Sequence, residues 1–135
     1  MSVTFEPGLL RAYFVAGSQD VPGQDLRDVL AKMLAAGITA FQFRDKATST
    51  LTPEQRLALG RDLRAQCRVA NVPFIVDDDV ELALALDADG IHVGQSDQRV
   101  QQVIQAVAGR NIFVGLSCST MAEVTAANAI AGIDY

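Results

Sequence analysis

Five short apolar runs alternate with segments of helical periodicity along this 135-residue chain. The runs are nearly continuous and rich in β-branched and aromatic residues, as in strands that are buried on both faces of a parallel sheet. Parallel strands joined through helices require right-handed crossovers, so the helices must cover the sheet. The pattern predicts an α/β protein, either an open doubly wound sheet or part of a (β/α)8 barrel. The predicted strands lie at 11–16, 39–45, 73–76, 90–93 and 112–116.

The predicted helices carry recognisable start and stop signals. Apolar residues at helical spacing from Leu26 to Leu34 predict a first helix that ends at Gly37, where a left-handed cap is expected. A capping box at Thr52 to Gln55 opens a second helix, expected to reach about Ala70. Later helices are predicted at 80–86, at 100–107 and, behind a second capping box at 120–123, up to about residue 131; residues 132–135 resemble the start of a sixth strand.

Composition excludes several classes of protein. With 11 Lys and Arg against 16 Asp and Glu, the net charge is −5, and no basic cluster marks a nucleic-acid or membrane surface. No apolar run approaches the roughly 20 residues of a membrane span, and no secretory signal is visible, so we expect a cytoplasmic protein. Cys67 and Cys118 lack metal-ligand spacing and are interpreted as small apolar residues. No linker divides the chain, which predicts one domain over residues 1–135.

Polar residues follow the apolar runs, at the strand ends where α/β proteins bind ligands. In an extended second strand, Gln42, Arg44 and Lys46 share one face. An amide and two cations suit an anion with several oxygens, because guanidinium forks across two of them. The alternative is that Arg44 and Lys46 form ion pairs with neighbouring acids.

Three consecutive aspartates, Asp77 to Asp79, follow the third run and repel one another unless their charge is balanced. Asp79 is placed to cap the helix that begins at Val80. Asp78 and Asp97 follow adjacent strands and are candidates to share one Mg²⁺, which binds one or two carboxylates plus substrate phosphates. The alternative for Asp97 is the cap of the following helix.

Histidine occurs once, as His92 between Ile91 and Val93, and this setting favours a buried, hydrogen-bonded side chain over a catalytic one. Ser117, Ser119 and Thr120 precede a helix whose N-terminal amides are able to bind phosphate, and one of the three must cap it. The sequence contains no Ser-His-Asp arrangement, HExxH, P-loop or GxGxxG motif.

Four segments in this order resemble the thiamine phosphate synthase family: QFRDK from Gln42, PFIVDDDV from Pro73, ADGIHVGQSD from Ala88 and VGLS from Val114. The resemblance implies a (β/α)8 barrel that joins hydroxymethylpyrimidine diphosphate to hydroxyethylthiazole phosphate and releases diphosphate with Mg²⁺. It implies ionisation of the C–O bond to a pyrimidine carbocation, which the thiazole nitrogen captures. By position, the implied substrate-binding residues are Gln42, Arg44, Lys46, Asp77 and Ser117, and the implied metal ligands are Asp78 and Asp97.

The sequence departs from the family pattern at Asp77, where Asn is usual, and at Ser119, where His is usual. A closed barrel needs about 200 residues or more, so we expect these 135 residues to form about five of eight strand-helix units. We expect such a chain to be inactive alone. Its open sheet edges would favour self-association. The alternative functions are a thiazole tautomerase and a diphosphate-binding half-barrel without activity.

Overall fold

The computed structural model describes residues 3–46, 48–95 and 97–135, with every side chain in these ranges except those of Asp97 and Gln98. Strands and helices alternate as predicted, although most strands are shorter than their apolar runs. The strands are β1 (Tyr13–Ala16), β2 (Ala40–Phe43), β3 (Phe74–Asp77), β4 (Gly90–Val93) and β5 (Phe113–Leu116). The helices are α1 (Leu26–Ala36), α2 (Pro53–Ala70), α3 (Val80–Ala85), α4 (Asp97–Val107) and α5 (Met121–Asn128).

The five strands form one parallel sheet in the order β1-β2-β3-β4-β5. This order is that of a barrel, because a doubly wound sheet reverses its strand order at a switch point. In a flat sheet the outer strands would lie about 19 Å apart, at about 4.8 Å per strand. Instead, the hydroxyl of Tyr13 on β1 lies 2.6 Å from that of Tyr135, which follows β5. The sheet therefore curls into a barrel arc.

Each strand presents one face to the helices and the other to the concave side of the arc. Phe41, Phe43 and Phe74 are at most 1% exposed and pack in the large core beneath the helices. The intervening residues form a separate inner cluster of Ala40, Ile75 and Phe113 with Phe5, Tyr13 and Tyr135. Period-2 alternation thus separates a helix-covered outer face from an inner face that is free to carry polar groups.

The helix ends follow the predicted signals with three differences. Gly37 is the left-handed cap of α1, and the capping box of Thr52 and Gln55 opens α2. Helix α4 begins at Asp97, three residues before the predicted start. Thr120 caps α5 as expected, but the Glu123 carboxylate accepts from the amide of Ser119 instead of that of Thr120, so the predicted second capping box does not form. Helix α5 ends at Asn128, three residues before the predicted end.

The last residues run beside β5, as expected for the beginning of another strand. Tyr135 accepts a backbone hydrogen bond from Leu116 at 2.8 Å, and Asp134 donates one to Val114 at 2.8 Å. Among the described residues, no helix combines the length and apolar character needed to cross a membrane.

A buried ion pair fixes the end of the arc opposite the carboxyl ends of the strands. Arg64 of α2 and Asp89, just before β4, are 8% and 1% exposed and lie 2.8 Å apart. The carboxylate of Asp89 also accepts from the backbone amides of Phe74 at 2.8 Å and Val3 at 3.3 Å. The carboxylate therefore ties together a helix, the start of β3 and the N-terminal segment.

Replacing Arg64 with Met should lower the free energy of unfolding by about 3 kcal/mol or more, because Asp89 stays buried without its cation. Chemical denaturation followed by circular dichroism measures this. The matched control is Arg68→Met on the same helix, where the partner is the exposed Asp87 at 3.6 Å. The control should lose less than about 1 kcal/mol, and equal losses in the two variants would contradict the assignment.

The two cysteines occupy different environments and are both free. Burial raises the pKa of Cys67 to about 12, so this thiol stays protonated and shielded. Cys118 is only half-buried. We expect one thiol of the folded protein to react promptly with a disulfide reagent and Cys67 to react only after unfolding. A Cys118→Ser variant should lose the fast phase, and prompt modification of both thiols would show this part of the fold to be wrong.

Candidate functional site

A cavity of about 540 Å³ opens at the carboxyl ends of the strands, on the concave side of the arc. Its walls come from the inner face of the sheet and from residues just beyond the strand ends, and most of the lining side chains are polar. Its position is the one at which barrel proteins bind ligands. The lining residues are Tyr13, Val15, Gln42, Arg44, Asp77, Asp78, His92, Gly94 and Ser117.

Arg44 is held at the rim by its backbone. Its amide donates to the carbonyl of Ala16 at 2.9 Å, and its carbonyl accepts from the side chain of Gln19 at 2.7 Å. The Gln19 side-chain oxygen also accepts from the amide of Lys46 at 3.1 Å. The loop after β1 therefore fixes the segment that carries both cations.

Asp45, between Arg44 and Lys46, anchors the same segment through its buried side chain. Its carboxylate is 1% exposed and accepts from the amide and hydroxyl of Ser18, at 2.9 and 2.5 Å, and from the guanidinium of Arg56, at 2.9 Å. Burial by itself raises the pKa of Asp45, but the hydrogen bonds from Ser18 and Arg56 outweigh it and hold this pKa below its usual value. The ionised carboxylate is thus part of the folded structure.

Arg44 and Asp77 form an ion pair at the cavity wall, with Nε and Oδ2 3.4 Å apart. Burial raises the pKa of Asp77 above its usual value, although the guanidinium of Arg44 partly offsets this. Lys46 follows the end of β2 and is not among the cavity-lining residues, so the predicted alignment of three polar side chains holds only for Gln42 and Arg44. The ammonium of Lys46 still acts on Asp77 and lowers its pKa.

Asp78 stands at the mouth of the cavity in a left-handed backbone conformation, with φ of 63°. Its side chain is exposed and lies 3.6 Å from the Arg99 guanidinium, which also donates to the Asp78 carbonyl. Asp79 caps α3 through the amide of Leu82 at 3.0 Å, as predicted. The side chain of Asp97, the second predicted metal ligand, lies outside the described residues. The predicted alternative, a cap formed by the Asp97 side chain, lies outside the described residues for the same reason; the backbone of Asp97 is the first residue of α4.

A row of hydrogen bonds crosses the inner face of the arc between two predicted site residues. The Gln42 amide donates to the Tyr13 hydroxyl at 2.9 Å, and the two tyrosine hydroxyls lie 2.6 Å apart. His92 is hydrogen bonded through Nδ1 to the Tyr135 hydroxyl at 3.2 Å and through Nε2 to the Ser117 hydroxyl at 2.7 Å. We call these five side chains the hydrogen-bond row.

The structure brings together five of the seven predicted site residues around this cavity: Gln42, Arg44, Asp77, Asp78 and Ser117. Tyr13, Tyr135 and Arg99 were not predicted from the sequence. His92 was predicted to be a buried, hydrogen-bonded side chain; it is hydrogen bonded but lines the cavity. Period-2 alternation was the available signal for Tyr13 and His92, since both share the inner face with Gln42, whereas no local pattern marks Tyr135 or Arg99.

Fold and cavity together define a barrel-type α/β protein with a polar, cation-bearing pocket at the carboxyl ends of its strands. Residues 12–135 match the profile of a family described as thiamine monophosphate synthase. The chain belongs to this family.

Individual relatives agree with the family match. A thiamine-phosphate synthase of Lactiplantibacillus plantarum is 65% identical over 135 residues, which are 100% of this chain and 62% of that protein. One from Limosilactobacillus fermentum is 49% identical over 134 residues, 97% of this chain and 62% of that protein. The solved thiamine phosphate pyrophosphorylase from Pyrococcus furiosus is 27% identical, with a TM-score of 0.70 over 87% of this chain and 55% of that one. The chain thus spans about three-fifths of the length of these relatives.

Asp45 should make the stability of the folded protein depend on pH. Its pKa is lower in the folded than in the unfolded chain, so it stabilises the fold above the ordinary aspartate pKa of about 4, and this contribution is lost as the pH falls further. Asp45→Asn should be less stable at neutral pH and should lose less stability on acidification. Unfolding curves between neutral and acidic pH measure both effects.

Asp62→Asn is the control for this prediction, because it removes an exposed carboxylate that pairs with Arg27 at 2.7 Å. Its free energy of unfolding should change by less than about 1 kcal/mol. An Asp45→Asn variant with the acid profile of the unmodified protein would contradict the role assigned to Asp45.

Proposed function

We propose that this chain carries the pyrimidine diphosphate site of a Mg²⁺-dependent thiamine phosphate synthase, a transferase that joins hydroxymethylpyrimidine diphosphate to hydroxyethylthiazole phosphate. The observation that carries this proposal is the convergence of Arg44, Gln42, Ser117 and Asp78 on one cavity at the strand ends. The family match and the names of the relatives support the same reaction.

The charges around the cavity support an anionic ligand. Arg44 reaches the cavity with a guanidinium that is about half exposed and therefore accessible to a phosphate. Its present partner Asp77 would repel that phosphate, so binding requires the guanidinium to exchange this loose contact of 3.4 Å for contacts to the phosphate oxygens. A diphosphate would offer Arg44 several oxygens in place of its single contact to the carboxylate, and a guanidinium binds such oxygens bidentately.

The same groups supply what departure of diphosphate requires. Cleavage of the C–O bond leaves its electron pair, and thus negative charge, on the diphosphate oxygens. Arg44 and the Ser117 hydroxyl would be the fixed cation and donor facing those oxygens, with Lys46 close enough to Asp77 to add to the positive potential. Charge stabilisation and positioning carry the reaction in this proposal, with no side-chain nucleophile.

Mg²⁺ suits the carboxylate at the mouth of the cavity. Asp78 offers a hard oxygen ligand, and Mg²⁺ needs only one or two carboxylates beside substrate phosphates. Among the described side chains, which do not include that of Asp97, no three His, Cys, Asp or Glu gather as a metal site. When bound, Mg²⁺ would neutralise charge on the leaving group. Asp97 is the second proposed ligand, from its position at the start of α4.

The two alternatives make different demands on this cavity. A thiazole tautomerase has no use for an arginine and an aspartate arranged for diphosphate, so the rim of the cavity favours the synthase. A half-barrel that only binds diphosphate would share the site and differ in turnover.

Titration calorimetry with inorganic pyrophosphate and Mg²⁺ tests the proposed site. We expect Mg²⁺-dependent binding that Arg44→Gln weakens about tenfold or more, because a charge-assisted contact is lost. Asp78→Asn should weaken the Mg²⁺ dependence. The control is Arg68→Gln, which makes the same change in net charge on exposed α2 and should bind normally. Equal weakening by Arg44→Gln and Arg68→Gln, or binding indifferent to Mg²⁺, would refute this site.

A further inference from the structure

The hydrogen-bond row admits two directions, and the donor at its Gln42 end favours one of them. The Gln42 amide nitrogen donates to the Tyr13 hydroxyl oxygen at 2.9 Å. If Tyr135 donated to Tyr13 across their 2.6 Å contact, the half-buried Tyr13 oxygen would accept twice and its own proton would have no partner in the row. With Tyr13 as the donor, the proton left over is that of the exposed Ser117 hydroxyl, so this direction is favoured. The Tyr135 proton is then directed to Nδ1 of His92 at 3.2 Å.

The direction of the row determines which nitrogen of His92 carries the proton. In a neutral imidazole one nitrogen donates and the other accepts, and the partner of one nitrogen decides which. If Nδ1 accepts from Tyr135, then Nε2 carries the proton and donates it to the Ser117 hydroxyl oxygen at 2.7 Å. The proton of Ser117 must then point away from His92.

The ionisation of these groups is consistent with that arrangement. Burial and the nearby Arg44 lower the pKa of His92, which keeps the imidazole neutral at neutral pH. Burial raises the pKa of Tyr13 and of Tyr135, so both phenols keep the protons that they donate.

Packing holds the members of the row in place. The Tyr135 ring stacks on Phe5, with centroids 5.5 Å apart and an interplanar angle of 14°. Gly115 leaves the space that this ring occupies, since a Cβ at that position would lie 2.2 Å from the tyrosine ring and 2.6 Å from Nδ1 of His92. Ser117 is fixed by its backbone, whose amide donates to Val93 at 3.0 Å and whose carbonyl accepts from Gln95 at 2.8 Å. Rotation of its hydroxyl is the freedom that the row removes.

We propose that Tyr13, Tyr135 and His92 are positioning residues that lock His92 as the Nε2–H tautomer and thereby turn the Ser117 hydroxyl into a donor toward the cavity. The ligand group that such a serine recognises is an anionic oxygen. With the opposite direction, Ser117 would donate to His92 and present only lone pairs, which repel an anion. The identity of the ligand in this inference rests on the proposed function, whereas the tautomer of His92 is independent of that function.

Nitrogen NMR of protein labelled at the histidine ring tests the tautomer, and the single histidine of the chain makes its assignment unambiguous. At a pH above the ordinary histidine pKa, we expect a protonated Nε2 and an unprotonated Nδ1. Tyr135→Phe removes the donor to Nδ1 and should give a mixture of tautomers. Ser117→Ala is the matched control, since it leaves the Tyr135 bond in place and should preserve the Nε2–H form. A dominant Nδ1–H form in the unmodified protein, or no change in Tyr135→Phe, would overturn the proposal.

Pyrophosphate binding with Mg²⁺ supplies the second measurement. Ser117→Ala should weaken binding about tenfold, because a hydrogen bond to a charged group is lost. Tyr135→Phe should weaken it about threefold, because only part of the population then presents the donor. Unchanged binding in both variants, with the unmodified protein binding normally, would also overturn the proposal. If the unmodified protein binds no pyrophosphate but shows the Nε2–H tautomer, the proposed function fails while the direction of the row stands.

Discussion

The buried ion pair between Arg64 and Asp89 holds the arc together at the end opposite the cavity. A buried carboxylate is costly unless its partners saturate it, and Asp89 receives two guanidinium and two backbone donors. These donors come from α2, β3 and the N-terminal segment, so the single side chain of Asp89 holds these three parts of the chain together. The loops at the other end are thereby free to carry exposed and charged groups without loosening the sheet.

The alternation of side chains along each strand separates stability from function. Phe41, Phe43 and Phe74 fill the space between sheet and helices, where apolar burial contributes most of the stability. On the inner face, β2 and β4 place the polar side chains Gln42 and His92, which are linked through the hydroxyls of Tyr13 and Tyr135. A substitution on the outer face is therefore expected to act on folding, and one at Gln42 or His92 on the proposed ligand binding.

Charge balance at the rim explains how an acidic protein keeps cations beside its cavity. Arg44 pairs with Asp77, Arg99 pairs with Asp78, and Asp79 caps α3. Each of these consecutive aspartates therefore has a cation or a backbone amide as its partner. These pairs are loose, at 3.4 and 3.6 Å, and partly exposed. They hold the side chains at the rim and still permit the proposed diphosphate and Mg²⁺ to compete.

The sequence by itself determined the order of strands and helices, most of the helix caps and the cluster of polar residues after the strands. These features depend on local chemistry: Thr52 caps because its hydroxyl reaches an amide three residues on, and Gln42 faces inward because strands alternate. The alternation of strands and helices left open whether the sheet was doubly wound or a barrel, since both produce the same local pattern, and the resemblance to the family favoured the barrel. The tertiary structure confirmed the barrel order. It alone decided the partners of Tyr13, Tyr135 and Arg99, because these contacts join residues distant in the chain and depend on how far the sheet curls.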